Sequence, residues 1–123
     1  MPFVTEAHQL LANLPQGTAN HAILGYLINN AIGANNAKSW DAIEAHCSGI
    51  SIGVDKLDFQ QGFLAETRDG GVFIGSCSRG YFIIQDRDDA IVTGDFYRTR
   101  IERQKEHLTH LRDLVIQEGW QAI

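Results

Sequence analysis

GGVFIGSCSRGYFI, residues 70–83, is the stretch that decides the fold of this 123-residue chain. Before it, apolar residues recur every three or four positions, which is typical of amphipathic helices. Within it and just after it, residues 72–75 and 81–84 are rich in β-branched and aromatic side chains, which favour strands. A glycine-containing segment, residues 76–80, separates the two runs. We therefore expect a β-hairpin with a long tip.

Four helices are predicted ahead of this hairpin. The first is ended by Pro15 and Gly17, and it is either a helix laid on the core or an arm that docks on a partner. Thr18 or Asn20 can cap the second, and Ser39 can cap the third. Their predicted bounds are residues 6–14, 18–30, 40–47 and 55–68.

A long helix is predicted after the hairpin, beginning at Ala90 or Asp95 and reaching about Gln117. The acidic turn before it, residues 86–89, is interpreted as a helix cap rather than a calcium loop. Six residues alternate at steps of four and three, which is a coiled-coil spacing. This seam consists of Tyr97, Ile101, Gln104, Leu108, Leu111 and Val115.

The seam is longer than packing on a three-helix core requires. We therefore expect it to pair with the same helix of a second subunit, giving a homodimer in which Gln104 sets the register. The alternative is a helix folded back over its own domain.

Composition and charge limit the class of protein. An apolar fraction of 44% and a charged fraction of 20% are ordinary for one folded domain. The sequence lacks both an apolar run of about 18 residues, the length of a membrane span, and a secretory signal. We therefore expect a cytoplasmic protein with no membrane partner, whose two cysteines, Cys47 and Cys77, are free thiols.

The net charge of −5 is unusual for a DNA-binding protein, because such proteins carry a basic footprint. Residues 1–70 have a net charge of −4 and residues 71–123 a net charge of −1. This distribution counts against tight, nonspecific binding to DNA.

Three short helices followed by a hairpin is the order of a winged helix-turn-helix. The stretch at residues 70–83 resembles the wing of small winged-helix proteins of phages and mobile elements, in which a Gly-x-x-Ile-x-Ser segment precedes a Gly-Tyr-Phe strand. The resemblance extends over residues 20–117, since an acidic stretch and a long helix follow the wing in that family. It implies an α+β fold with a three-helix core, a hairpin wing and a long carboxy-terminal helix. The expected parts are an amino-terminal helix or arm (1–17), a winged domain (18–85) and a dimerisation helix (86–123).

The resemblance also implies where DNA would be read. Lys56, Gln60 and Gln61 would face base edges from the helix at residues 55–68, although a solvated helix face without a ligand is the alternative. At the wing tip, Ser76, Ser78 and Arg79 would contact the phosphate backbone. The alternative there is an arginine paired with a carboxylate and serines that only stabilise the turn.

Catalytic and metal-binding patterns are missing from the sequence. It contains no dinucleotide-binding glycine pattern, P-loop, nucleophile elbow or zinc-protease motif. His107 and His110 share a helix face without a third ligand and are interpreted as surface residues. We therefore expect no enzyme, no cofactor and no metal. The expected function is a dimeric, DNA-binding transcriptional regulator or phage or mobile-element accessory factor; the alternative is a winged-helix protein-interaction module without DNA binding.

Overall fold

A computed structural model of the chain describes residues 2–47 and 59–123. Within them, α-helices and one antiparallel two-stranded hairpin form an α+β structure. The helices are α1 (Pro2–Asn13), α2 (Ala19–Asn30), α3 (Trp40–Cys47), α4 (Leu64–Asp69) and α5 (Arg87–Gln117), and the strands are β1 (Ile74–Cys77) and β2 (Gly80–Ile83). A 3-10 helix (Ala34–Asn36) follows α2, and a π-helical turn (Phe59–Phe63) leads into α4. The chain divides into two compact units, Met1–Thr93 and Gly94–Ile123.

The first helix is part of the core of the unit Met1–Thr93. Ala7 of α1 is fully buried, and the apolar side chains around it pack against the same core as α2 and α3. These partly buried neighbours are Phe3, Val4, Leu10, Leu11 and Leu14. Of the two alternatives for this helix, packing on the core is the one observed.

The caps of α2 and α3 agree with the sequence prediction. The Thr18 hydroxyl accepts a hydrogen bond from the His21 amide at 3.4 Å, and the Ser39 hydroxyl accepts one from the Ala42 amide at 3.2 Å. Each satisfies an amide of the first helical turn that has no partner within its helix. These two boundaries were predictable because a cap and its helix are neighbours in sequence.

Phe59 joins three elements of this unit. Its ring, which is fully buried, lies 4.8 Å from the Trp40 ring of α3 and 4.7 Å from the Tyr81 ring of β2. The Phe63 ring stacks on it at 5.3 Å. Aromatic contacts of this kind stabilise beyond their buried area, so Phe59 fixes the π-helical turn against the hairpin.

The hairpin is tighter than the sequence prediction. Cys77 pairs with Gly80, so Ser78 and Arg79 alone form the turn and the predicted long tip is wrong. The strands continue through Ser76 and Cys77 because Gly80 adopts a φ of 134°, which other residues rarely adopt, and closes a two-residue turn.

The helix α5 begins at Arg87, earlier than the predicted Ala90 or Asp95. The Asp86 carboxylate accepts a hydrogen bond from the Asp89 amide at 2.9 Å, which is the geometry of an N-cap. The cap sets the boundary here, whereas the apolar spacing, on which the prediction relied, begins only later. The expected capping role of the acidic turn is confirmed.

In the unit Gly94–Ile123, α5 ends in a Schellman motif. Gly119 has a φ of 77°, its amide donates to the Ile116 carbonyl at 3.0 Å, and the Trp120 amide donates to the Val115 carbonyl at 3.1 Å. Val115 is buried, although the remaining seam residues are not.

Candidate nucleic-acid interface

In the unit Met1–Thr93, two polar residues form the hairpin turn and two more contact Tyr81 of β2, and we call these four side chains the tip patch. Ser78 and Arg79 form the turn and are exposed. The tip patch consists of Lys38, Gln60, Ser78 and Arg79.

Lys38 reaches the hairpin through backbone pairing with β2. Its amide donates to the Tyr81 carbonyl at 2.9 Å, and the Tyr81 amide donates to the Lys38 carbonyl at 2.8 Å. Directly paired residues of antiparallel strands project from the same face, so Lys38 and Tyr81 lie side by side. Gly80 permits this approach, because a Cβ on it would lie 2.1 Å from the Lys38 carbonyl oxygen.

Gln60 joins the same face through the Tyr81 side chain. Its Nε2 donates a hydrogen bond to the Tyr81 hydroxyl at 3.2 Å, while the adjacent Phe59 is buried beneath. The amide oxygen of Gln60 is an acceptor and its second N–H a donor, which is the pair that suits an adenine edge.

Arg79 is oriented by the scaffold. Its Nη2 donates a hydrogen bond to the Ala34 carbonyl oxygen at 3.0 Å. A guanidinium has five N–H donors, and one such bond holds its plane while leaving donors for an oxyanion. The partner of Arg79 is thus a backbone carbonyl, which does not neutralise its charge.

The other sequence-predicted DNA-contacting residues lie in different environments. Ser76 is 4% exposed, and its amide donates to the Thr93 hydroxyl at 3.2 Å, so its side chain does not reach the surface in this structure. The backbone of Gln61 lies in the π-helical turn. Lys56 lies outside the described residues.

The net charge of the unit Met1–Thr93 is unfavourable to the binding of polyanions. Its sequence has five basic and ten acidic side chains, a net charge of −5. Beyond the tip patch, Arg68 of α4 lies over the Phe73 ring at 5.6 Å, and Glu66 accepts a hydrogen bond from Asn20. The tip patch is therefore a local cationic feature on an acidic unit.

The predicted seam lies mostly at the surface of α5. Ile101, Leu108 and Leu111 are about half exposed, at 51%, 44% and 49%. Gln104 is exposed and Tyr97 is on the border of exposure. The apolar stripe expected from the sequence is thus present on a single helix.

Sequence reasoning missed Lys38 as a candidate. The prediction drew cationic residues only from positions 79 onward and from Lys56, whereas Lys38 joins the hairpin by pairing with a residue 43 positions away. No local feature of the sequence predicts the backbone pairing of Lys38 with Tyr81. The lysine directly before a capping serine was the only feature that could have drawn attention to it.

The described residues do not assemble a metal-binding group, and one of the two thiols is buried. Among residues 2–47 and 59–123, no three His, Cys, Asp or Glu side chains are placed to hold a metal ion. Burial raises the pKa of the Cys47 thiol, which makes that side chain a poor nucleophile. No described helix combines the length and apolar character needed to cross a membrane.

Comparison with known proteins gives no further assignment. No protein-family model, curated protein or solved structure matches the chain.

Proposed function

We propose that this chain is a winged-helix-type protein that binds double-stranded DNA, with the hairpin as its wing and the tip patch as the contact to the phosphate backbone. The observation that carries the proposal is the Arg79 guanidinium on a two-residue turn, held by the Ala34 carbonyl with donors to spare. The family resemblance of residues 70–83 adds to it, as does the order in which α2, α3 and α4 precede the hairpin.

The residues of the tip patch supply two kinds of contact, one to phosphate and one to bases. Lys38 and Arg79 supply positive charge, and Ser78 supplies a hydroxyl, which are the groups that bind phosphate oxygens. Gln60, on the same face as Lys38, supplies a side-chain amide that can read a base edge. Two cations and a hydroxyl make a small footprint, so we expect affinity that is modest and strongly dependent on salt.

A selection from random duplex DNA at two salt concentrations tests the proposal. We expect an enriched motif for the wild-type chain and weaker binding by Arg79→Ala, with the slope of log affinity against log salt reduced by about 1. Arg103→Ala is the matched control, since Arg103 is an exposed arginine in the other unit. No enrichment at low salt, or equal losses in both variants, would contradict the proposal.

A second candidate is a winged-helix module that binds protein rather than DNA. The net charge of −5 on the unit Met1–Thr93 favours it, because an acidic surface repels nucleic acid at long range. The same selection distinguishes the two: a folded chain that enriches no DNA at low salt supports the protein-binding module.

A further inference from the structure

The carboxy-terminal helix carries an apolar stripe that its own unit leaves uncovered. In α5, the seam residues Ile101, Leu108 and Leu111 are about half exposed, and Leu114 beside them is 44% exposed. Steps of four and three keep these side chains on one face of a helix over three heptads. Such a stripe is the surface with which one helix pairs with another.

The residues that flank the seam are basic at every e position, and no carboxylate stands at the g positions. With Ile101 and Leu108 at heptad position a, the e positions hold Arg98, Lys105 and Arg112, spaced seven residues apart. The g positions hold Arg100, His107 and Leu114. From Gly94 onward, the carboxylates of the helix lie away from the seam, at positions b and f, and they are Asp95, Glu102, Glu106 and Asp113.

Pairing within the helix leaves these flanks cationic. Arg98 contacts Asp95, and the Lys105 ammonium lies 3.6 Å from the Glu102 carboxylate, but all four side chains are about two-thirds exposed. Exposed ion pairs of this kind are weak and exchange readily for better partners. Arg112 has no carboxylate three or four residues away on the helix.

A second copy of this helix fits the flanks poorly. In a parallel pair, position g of one helix faces position e of the next heptad on the other, which sets Arg100 against Lys105. In an antiparallel pair, e faces e, and arginine or lysine again meets arginine or lysine. Like charges at these positions disfavour association, whereas carboxylates on the facing helix would turn each contact into an attraction.

We infer that the seam of α5 binds an amphipathic helix of another protein, one with apolar core positions and acidic residues at its flanking positions. This inference replaces the homodimer expected from the sequence, because the seam alone suggested a second copy and the flanks argue against it. It is independent of DNA binding, since it uses only residues of the unit Gly94–Ile123. Gln104 in the seam favours a partner with a polar residue opposite it.

Two synthetic peptides of three heptads, alike except for their flanks, test the inference with the full chain. Both have leucine at the core positions and one glutamine placed opposite Gln104; one has glutamate at every e and g position and the other has lysine. We expect the glutamate peptide to bind at least about tenfold more tightly, and this preference to shrink as salt is raised. Sedimentation of the chain alone, at about 10 μM, should give a monomer.

Two variants distinguish the contribution of the flanking charges to peptide binding from that of the apolar stripe. The triple variant Arg98→Glu, Lys105→Glu and Arg112→Glu should reverse the peptide preference, because it makes the e positions acidic. All three side chains are exposed, so the helix should keep its fold. Leu108→Asp should abolish binding of both peptides while the unit Met1–Thr93 keeps its unfolding transition. Equal binding of the two peptides, binding of neither, or a stable homodimer of the chain alone would each overturn the inference.

Discussion

Arg79 donates a hydrogen bond from its guanidinium to the carbonyl oxygen of Ala34 at 3.0 Å, across 45 positions of sequence. The amide of the same alanine donates to the Asp89 carboxylate at 2.9 Å. The short 3-10 helix that begins at Ala34 therefore ties the hairpin turn to the first turn of α5. This tie fixes the position of the arginine on which the proposed DNA contact depends.

Replacing Asp89 should destabilise the unit Met1–Thr93. The carboxylate is 7% exposed and accepts hydrogen bonds from the amides of Ala34 and Gln85, at 2.9 and 3.0 Å. Asp89→Ala leaves both donors without this partner, so we expect a loss of about 2–4 kcal/mol in the free energy of unfolding. Asp88→Ala, at an exposed position of the same helical turn, should cost less than about 1 kcal/mol. Urea denaturation of both variants checks this, and equal losses would mean that the buried hydrogen bonds contribute little.

Substitution of Gly80 should disrupt the hairpin, because two effects combine there. Its φ of 134° is strained for other residues, and an added Cβ would lie 2.1 Å from the Lys38 carbonyl oxygen. We expect Gly80→Ala to cost about 3 kcal/mol or more. Gly71→Ala is the matched control: its φ is also positive, at 87°, but a Cβ there meets nothing within 4 Å, so only strain of about 1–2 kcal/mol is expected. Thermal unfolding compares them, and a Gly80 variant no less stable than the control would rule out the close approach.

The two cysteines should differ in reactivity. Cys47 is fully buried, and burial raises the pKa of its thiol, whereas Cys77 is partly exposed. We expect iodoacetamide to modify Cys77 in the folded chain and Cys47 only after denaturation. Mass spectrometry of digested samples gives the site of modification, and rapid labelling of Cys47 under native conditions would contradict its burial.

The same raised pKa gives a pH dependence of stability. The unfolded chain releases the thiol proton at a lower pH than the folded chain, so the contribution of Cys47 is complete below the ordinary thiol pKa and is lost as the pH rises above it. The free energy of unfolding should therefore fall more steeply between about pH 8 and pH 10 in the wild type than in Cys47→Ala. Parallel slopes would show that this thiol does not contribute.

The features that the sequence predicted correctly are local ones. Thr18 and Ser39 cap helices that begin one residue later, and runs of β-branched and aromatic residues mark the strands, so each signal lies beside the structure it specifies. The start of α5 was misplaced although its cap, Asp86, was visible, because the prediction gave more weight to apolar spacing than to the capping aspartate.

The features that sequence could not supply depend on contacts between distant residues. The pairing of Lys38 with Tyr81 brings a lysine to the hairpin, and the bond from Arg79 to Ala34 decides where the guanidinium lies. Neither follows from residue type or spacing. The apolar seam of α5, by contrast, was predictable, because its period is a local feature of the sequence.

Mapping of the DNA contact by NMR tests the central proposal most directly, because it reports the position of binding as well as its existence. In amide spectra of the labelled full chain titrated with duplex DNA at low salt, we predict progressive, saturable shifts at Lys38, Gln60, Ser78 and Arg79. The amide signals of α1 and of the seam residues should not shift. Absence of shifts with DNA in excess, or shifts confined to α5, would contradict a DNA-binding wing in this protein.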